Sequence, residues 1–166
     1  MPNHRTGHLQ HQQNSIGAAC ARDLLANGAS LALTYSTNKA SLSNLITDLN
    51  ASNPDNRNIS SHHCDVAKEG DLQRLFDELK ESHGKHPDIL VVNAGYGKRV
   101  SNILEIEIDE WDYTMNVNLR SSFIITKLAV PHMLEQAWGR VIYISSIAAG
   151  GTSINGCHYS ASKGRL

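Results

Sequence analysis

Short apolar runs alternate with longer amphipathic stretches along most of this chain, and this alternation constrains the fold more than any other feature of the sequence. The runs have strand-like lengths and cover residues 31–35, 89–92 and 141–144, and a weaker strand is predicted over 58–64. Apolar residues at helical spacing predict helices over 16–27, 39–49, 71–82, 109–136 and 158–166. Strands that alternate with helices predict an α/β fold of the Rossmann type, with a doubly wound parallel sheet.

Two of these segments carry finer predictions. The run 89–92 is apolar throughout, as expected of a parallel strand covered on both faces, and 141–144 is interpreted as a second buried strand. Pro131 lies inside the helical stretch 109–136, where a proline removes one backbone hydrogen bond. We therefore expect a kink or a break of the helix at Pro131.

The first fifteen residues differ in composition from the rest of the chain. Residues 1–15 contain three His and three Gln and only Met1 and Leu9 as clearly apolar residues, which predicts a disordered or non-native segment. Residues 16–166 form the predicted domain. The first strand of a Rossmann sheet lies at its centre, and no buried strand is recognisable before Ile16. Because the last helical pattern stops at the chain end, we expect a partial domain that lacks its first strand and its C-terminal strands.

Composition excludes several classes of function. Fifteen Lys and Arg against sixteen Asp and Glu give a net charge of −1, so the chain lacks the positive charge of a nucleic-acid-binding domain. No apolar run approaches the ~18 residues of a membrane helix. The cysteines at 20, 64 and 157 are odd in number and widely spaced, which favours a reducing, cytoplasmic location. His62 and Cys64 share one strand face, but no second cluster completes a four-ligand zinc site.

A tyrosine and a lysine near the C-terminal end carry the clearest chemical signal. Tyr159 and Lys163 are four residues apart and so lie on one helical face. A neighbouring ammonium favours the ionised phenol, which makes Tyr159 a candidate general acid or base. Tyr35 and Lys39 have the same spacing, but only Tyr159 has a hydroxyl residue, Ser146, at the end of the preceding strand. Ligands bind at that edge of open α/β sheets.

Five motifs resemble the short-chain dehydrogenase/reductase family, in the order in which that family has them. In chain order they are Asp65-Val66, Asn93-Ala94-Gly95, Trp111-Asp112 with Val117-Asn118-Leu119, Gly139-Arg140-Val141-Ile142-Tyr143-Ile144-Ser145-Ser146, and Tyr159 with Lys163. The resemblance covers about 14–166. It implies oxidoreduction between a ketone and a secondary alcohol with NAD(P), acting on a small-molecule substrate.

The resemblance also implies a role for each catalytic residue. Tyr159 exchanges the proton, Lys163 supports it and holds the nicotinamide ribose, Ser146 orients the substrate oxygen, and Asn118 holds a proton-relaying water. The implied cofactor-binding residues are Ile16, Gly17, Ser36, Asp65, Val66, Asn93, Ala94, Gly95, Tyr159 and Lys163. Full-length family members are expected to be homo-oligomers.

The turn after the first apolar run bears on the choice of cofactor. NAD-preferring relatives place an aspartate there to bind both ribose hydroxyls. This chain has Tyr35-Ser36-Thr37-Asn38-Lys39, whose hydroxyls and ammonium suit a 2′-phosphate. NADP(H) is therefore favoured over NAD(H), although the same residues also suit a helix cap. The Ser36 turn is nearest to 3-oxoacyl-carrier-protein reductase-like members.

The phosphate-binding loop departs from the family pattern. Of its three glycines only Gly17 is present, because Ser15 and His11 occupy the other two positions. Since glycine allows close approach of the backbone to a pyrophosphate, we expect the isolated chain to bind NADPH weakly or not at all. The alternative to an enzyme is a catalytically inactive remnant that acts through protein association, because an incomplete sheet leaves unpaired strand edges.

Overall fold

The computed structural model describes residues 15–151 and 155–164. The prediction of disorder for 1–15 falls, apart from Ser15, outside these residues. Ser15 itself caps the first helix, because its side chain accepts a hydrogen bond of 3.2 Å from the Ala18 N–H.

Strands and helices alternate as the sequence predicts. The strands are β1 (Leu31–Tyr35), β2 (Ile59–His63), β3 (Ile89–Val92) and β4 (Arg140–Tyr143). The α-helices are α1 (Ile16–Ala26), α2 (Lys39–Ala51), α3 (Glu69–His83), α4 (Ile108–Met115), α5 (Ser121–Glu135) and α6 (Cys157–Lys163). A π-helical turn (Asn116–Arg120) joins α4 to α5, and 3₁₀ turns cover Ile103–Glu105 and Ile147–Gly150.

The strands form two parallel pairs. β1 pairs with β2 in a register that places Leu31 opposite Ile59, and β3 pairs with β4 with Ile89 opposite Arg140. Within the described residues no strand joins the two pairs. The predicted α/β fold of the Rossmann type is therefore confirmed, and within the described residues the two pairs are separated between β1 and β3.

Each pair of strands has its own apolar core. One core packs α1 and α2 on β1, and its buried residues are Ala18, Ala21, Leu25, Leu31, Leu45 and Leu49. Around β3 and α5 the buried residues are Phe76, Leu90, Val92, Ala129 and Met133. A third cluster lies along α3 and contains Cys64, Leu72, Leu75 and Leu79. α3 thus buries apolar side chains three or four positions apart, the pattern that predicted this helix.

The predicted break of the helix at Pro131 is wrong. α5 continues from Ser121 to Glu135 with Pro131 inside it. Pro131 lies on an exposed face of the helix, where a carbonyl without its backbone partner is open to solvent and costs little. The irregularity in the stretch 109–136 lies earlier, at the π-helical turn that contains Asn118.

The prediction that the fourth strand is buried is also wrong. Ile142 is 45% exposed and Tyr143 is 36% exposed. These side chains are exposed because, within the described residues, β4 pairs only with β3 and so forms an edge of the sheet. Apolar composition predicts a strand covered on both faces, but whether a covering layer is present is decided by the rest of the fold.

The pattern around β2 agrees with the sequence. His62 and Cys64 are buried and His63 is exposed, as the two-residue period of a strand predicts. Within 15–151 and 155–164, no group of three or more His, Cys, Asp or Glu side chains is placed to hold a metal ion. None of the helices in these residues has the length and apolarity needed to cross a membrane.

Candidate active site

The helix α6 is anchored to the end of β4. The Ser145 hydroxyl donates a hydrogen bond of 2.8 Å to the Lys163 carbonyl, and the Lys163 Nζ donates one of 3.1 Å to the Ile144 carbonyl. Ser146 is the next residue and caps the following 3₁₀ turn, its Oγ accepting from the Ala148 N–H at 3.2 Å. Because Oγ acts as an acceptor in that bond, the hydroxyl proton of Ser146 is left to donate.

Lys163 lies almost completely inside the protein. Its side chain is 5% exposed, and this burial lowers its pKa because it disfavours the charged ammonium. A Cβ atom at Gly95 would lie 3.3 Å from Nζ and 3.6 Å from the Asn118 Oδ1. The loop that follows β3 therefore passes directly against both functional groups, and glycine at 95 makes this approach possible.

The ring of Tyr159 packs against the same loop. A Cβ atom at Gly97 would lie 3.0 Å from Cε2 and 3.1 Å from Cδ2 of this ring. Contacts that short are below ordinary van der Waals distance. Gly95 and Gly97 thus bring one loop against both Lys163 and the Tyr159 ring.

Asn118 is fully buried and uses its amide to join three segments. Its Oδ1 accepts from the Tyr96 N–H at 2.7 Å, and its Nδ2 donates to the Tyr96 carbonyl and to the Ser162 Oγ, both at 2.8 Å. Ser162 in turn donates to the Tyr159 carbonyl at 2.8 Å. The amide therefore fixes the loop after β3 and the helix that carries Tyr159. The predicted water relay through Asn118 stays a prediction.

The π-helical turn explains how Asn118 reaches this position. The Ser121 hydroxyl donates to the Val117 carbonyl, and the Ser122 hydroxyl donates to the Asn118 carbonyl at 2.8 Å. Side-chain donors thus bond carbonyls of a turn whose regular i→i−4 pattern is interrupted. From this turn Asn118 reaches α6 and donates to the Ser162 Oγ.

Sequence reasoning missed three residues of this site, namely Tyr96, Gly97 and Ser162. Gly97 had a signal, because a second glycine two residues after Gly95 indicates a close approach of the backbone. Ser162 lies inside the Tyr-Lys motif but has no chemistry of its own. Tyr96 contributes backbone atoms, which no residue type can reveal.

A cluster of polar side chains lies next to α6. His158 is fully buried, and within the described residues neither of its ring nitrogens has a hydrogen-bond partner. The Glu110 carboxylate lies 3.8 Å from the His158 Nε2, accepts from the Tyr96 hydroxyl at 3.1 Å, and pairs with Lys98 at 3.4 Å. Burial, followed by the nearby Glu110 charge, raises the pKa of Tyr96 to about 12. The cluster connects α4, the loop after β3, and α6.

The start of α1 meets the end of β3. A Cβ atom at Gly17 would lie 2.8 Å from the Asn93 Nδ2, so a larger residue at 17 would displace the Asn93 side chain. Ile16, beside it, is 59% exposed. Ala94 connects Asn93 to Gly95 in the same loop. The structure thus places the predicted cofactor-binding residues of α1 and of the loop after β3 at one edge.

The remaining predicted residues lie at the ends of the other strand pair. Ser36 is exposed and follows β1, and Asn38 caps α2 by accepting from the Ser41 N–H at 3.0 Å. Asp65, which Val66 follows in the loop after β2, accepts from the Ala67 N–H at 3.1 Å. No described contact joins these residues to Lys163 or Tyr159. Their binding of a cofactor stays a prediction.

The same family is found when the chain is compared with known proteins. A profile of the short chain dehydrogenase family matches residues 12–166. The chain belongs to the short-chain dehydrogenase/reductase family. This confirms the family resemblance and identifies the chain as a relative of NAD(P)-binding oxidoreductases. The finer prediction of a 3-oxoacyl-carrier-protein reductase-like member stays a prediction.

Curated relatives are similar over part of their length. Dehydrogenase/reductase SDR family member 4 of Homo sapiens is 30% identical over 153 residues, which are 92% of this chain and 53% of the relative. Dehydrogenase/reductase SDR family member 6 of Aquarana catesbeiana is 36% identical over 108 residues, which are 64% of this chain and 42% of the relative. The chain thus spans about half the length of the curated relatives it matches.

Solved structures show the same fold. A metagenomic short-chain oxidoreductase in complex with NADP has a TM-score of 0.81 and 30% identity, over 91% of this chain and 66% of the other. A short-chain dehydrogenase/reductase from Serratia marcescens has a TM-score of 0.78 and 28% identity, over 89% of this chain and 58% of the other. The likeness extends over nearly all of this chain.

Proposed function

We propose that the site formed by Ser146, Tyr159 and Lys163 interconverts a ketone and a secondary alcohol with NADP(H), and that Tyr159 exchanges the proton. The observation that carries this proposal is the packing of Tyr159 and Lys163 against Gly97 and Gly95. The loop after β3 contacts the Tyr159 ring and the Lys163 ammonium, and α6 is bonded to the strand end that precedes Ser146.

The proton chemistry follows from the neighbours of each group. A buried ammonium at Lys163 favours a negative oxygen nearby, so it supports Tyr159 when the phenol gives up its proton to the forming alcohol. Ser146 keeps a hydroxyl proton to donate, which orients the substrate oxygen toward the phenol. Asn118 acts as a positioning residue, because its amide bonds hold the loop and the helix together.

The residues present fit the nicotinamide half of the cofactor. One of the three donors of the Lys163 ammonium goes to the Ile144 carbonyl, which leaves two for ribose hydroxyls. Gly17 and Asn93 are in contact at the edge where a dinucleotide lies in this fold. When bound, NADPH supplies the hydride. The preference for NADP(H) is supported by Ser36 and by the absence of a carboxylate between Tyr35 and Lys39.

The location and assembly are part of the same proposal. We place the protein in the cytoplasm, which is supported by three cysteines, Cys20, Cys64 and Cys157, that form no disulfide. For the full-length family member we propose a homo-oligomer that acts on a small carbonyl or alcohol.

The test compares Tyr159 with a tyrosine that has no assigned role in the site. Carbonyl reduction is followed by the loss of NADPH absorbance with a panel of ketones that includes 3-oxoacyl thioesters, at NADPH concentrations high enough to compensate for weak binding. Tyr159→Phe should lower the rate by about 10²–10⁴-fold, the usual contribution of a general acid. Tyr143→Phe, which also removes one phenol hydroxyl but on the exposed edge strand beside Thr126, should leave the rate unchanged. A rate retained in Tyr159→Phe would overturn the assigned proton donor.

A second function, protein association without catalysis, is favoured by one observation. The described sheet is split between β1 and β3, and unpaired strand edges bind other strands. A chain that reduces none of the ketones but retains its fold would support association over catalysis.

A further inference from the structure

Four polar side chains form a hydrogen-bonded cluster between β2 and α3. Ser60 and His62 are two positions apart on β2, so their side chains lie on one face of the strand. The Ser60 Oγ lies 2.8 Å from the His62 Nε2 and 2.7 Å from the His83 Nε2. The His62 Nδ1 lies 2.8 Å from the Glu78 Oε2, and Glu78 and His83 both belong to α3. We call these four residues the Ser60 cluster.

A neighbouring amide fixes the proton of His83. The Asn58 Nδ2 donates to the Ser82 carbonyl at 2.8 Å, which sets the orientation of this amide. The same Nδ2 lies 3.4 Å from the His83 Nδ1. Burial, followed by the nearby His62, lowers the pKa of His83, so its ring is neutral near neutral pH. The nitrogen that faces the amide donor is then the acceptor, and the ring proton is on Nε2, which donates to the Ser60 Oγ.

The direction of the remaining hydrogen bonds follows from this one. Because the Ser60 Oγ accepts from His83, its own proton is donated to the His62 Nε2. The proton of the neutral His62 ring is then on Nδ1, which donates to the Glu78 carboxylate. The reverse direction would place an N–H of His83 against the amide N–H of Asn58, two donors without an acceptor between them.

This order of hydrogen bonds is the one that activates a serine nucleophile. Such a serine needs a base within about 2.6–3.2 Å, and the base needs a third group that orients it. His62 is 6% exposed and meets the distance, and Glu78 orients it while its other oxygen lies 3.3 Å from the Arg74 Nε. The His83 N–H favours a negative oxygen on Ser60 as the hydroxyl proton leaves. Ser60 is only half-buried, so part of it is open to solvent.

The Ser60 cluster lies apart from the candidate active site. Ser60 is the second residue of β2 and so lies near the amino end of this strand. The residues proposed to bind the cofactor follow the carboxyl ends of the strands instead. No described hydrogen bond or ion pair joins the cluster to Tyr159 or Lys163. The proposed ketone reduction therefore makes no use of these four side chains.

We propose that Ser60 and His62 form a second catalytic site, which transfers the acyl group of a small activated ester to Ser60 and then to water. The Ser60 Oγ bonds to the ester carbonyl carbon, its proton passes to the His62 Nε2, and the bond to the leaving oxygen breaks. His62 returns the proton to the leaving alcohol. It then takes a proton from the water that releases the acid and restores the serine. Glu78 is a positioning residue, because it acts through His62.

A fluorophosphonate probe tests the nucleophile on the 166-residue chain. Attack by the Ser60 Oγ forms a bond to phosphorus and releases fluoride, and the serine proton passes to His62. Mass spectrometry then locates the labelled serine. Ser61 is the internal control, because it is exposed on the other face of β2. We expect label on the half-buried Ser60 and none on Ser61, a result that access to solvent alone would reverse.

Variants of two neighbouring histidines test the base. His62→Gln should slow the labelling of Ser60 by about 10²–10⁴-fold, the usual contribution of a general base. His63→Gln is the matched control, because His63 is exposed on the other face of β2, and it should leave the rate unchanged. Circular dichroism checks that both variants are folded.

Glu78→Gln tests the positioning residue, because it keeps the size of the side chain and removes its charge. Labelling of Ser60 should slow at least about tenfold, since a neutral amide supports a protonated His62 less well. The NMR resonance of the His62 Nδ1–H should also move upfield, because a charged acceptor makes the stronger hydrogen bond. A merely structural role of Glu78 would leave this resonance in place.

Turnover is measured as the release of p-nitrophenolate from p-nitrophenyl acetate. Ser60→Ala should lower the rate to the background of exposed imidazoles, whereas Ser61→Ala should keep the full rate. This pair of variants also decides the outcome if His62→Gln does not fold. Absence of label on Ser60, equal labelling of Ser60 and Ser61, or equal rates of the two alanine variants would overturn the proposal.

Discussion

Replacing Asn118 by alanine tests whether its amide holds the site together. The substitution removes three hydrogen bonds of 2.7–2.8 Å, two to the Tyr96 backbone and one to Ser162. Each partner left unpaired inside a protein costs about 1 kcal/mol or more. Asn118→Ala should therefore lower the free energy of unfolding by at least about 3 kcal/mol, a large part of the ~5–15 kcal/mol typical of a domain.

The assay is urea unfolding at constant temperature, followed by circular dichroism. Asn44→Ala is the matched control, because Asn44 is exposed on α2 and a surface substitution of this kind changes stability by less than about 0.5 kcal/mol. Asn118→Asp keeps an acceptor for the Tyr96 N–H but loses both donors and adds a buried charge, so it should be no better than alanine. A loss below about 1 kcal/mol in Asn118→Ala would refute the argument, because the three bonds would then be replaced by water.

Three further predictions concern Lys163, Gly97 and Cys64. Burial lowers the pKa of Lys163, so the unfolded chain binds this proton more firmly than the folded chain does. The free energy of unfolding of the wild type, measured relative to Lys163→Met, should therefore rise as the pH increases toward ~10.5. Urea titrations at several pH values measure this difference. Gly97→Ala should destabilise the chain by about 1–3 kcal/mol in thermal unfolding, because the new Cβ overlaps the Tyr159 ring. Burial raises the pKa of the Cys64 thiol to about 11, so iodoacetamide followed by mass spectrometry should label the half-buried Cys20 and Cys157 before Cys64.

Each of these predictions has a result that contradicts it. A pH-independent difference between wild type and Lys163→Met would show that the ammonium is not desolvated. Gly70→Ala is the control for Gly97→Ala, because no atom lies within 4 Å of a Cβ at Gly70 and alanine favours a helix. Equal losses of stability in the two variants would exclude a steric cause. Early labelling of Cys64 would show that its strand opens readily.

The local spacing of apolar residues was sufficient to predict several of the strands and helices. β1 and β3 begin and end where their apolar runs do, and α3 follows its apolar spacing within two residues. The Tyr-Lys pair was found because a helix places side chains four positions apart on one face. The interruption at Asn118 was missed, because a π-helical turn depends on hydrogen bonds from Ser121 and Ser122 rather than on periodicity.

The amino-acid sequence by itself determined the alternation of strands and helices, the residue types of the catalytic motif and hence the family, because these depend on side chains that are close in the chain. Only the tertiary structure decided that β4 is exposed in the described residues, and that Gly95 and Gly97 bring the loop after β3 against Lys163 and Tyr159. Those features arise from contacts between segments far apart in sequence, which no local spacing of residues specifies.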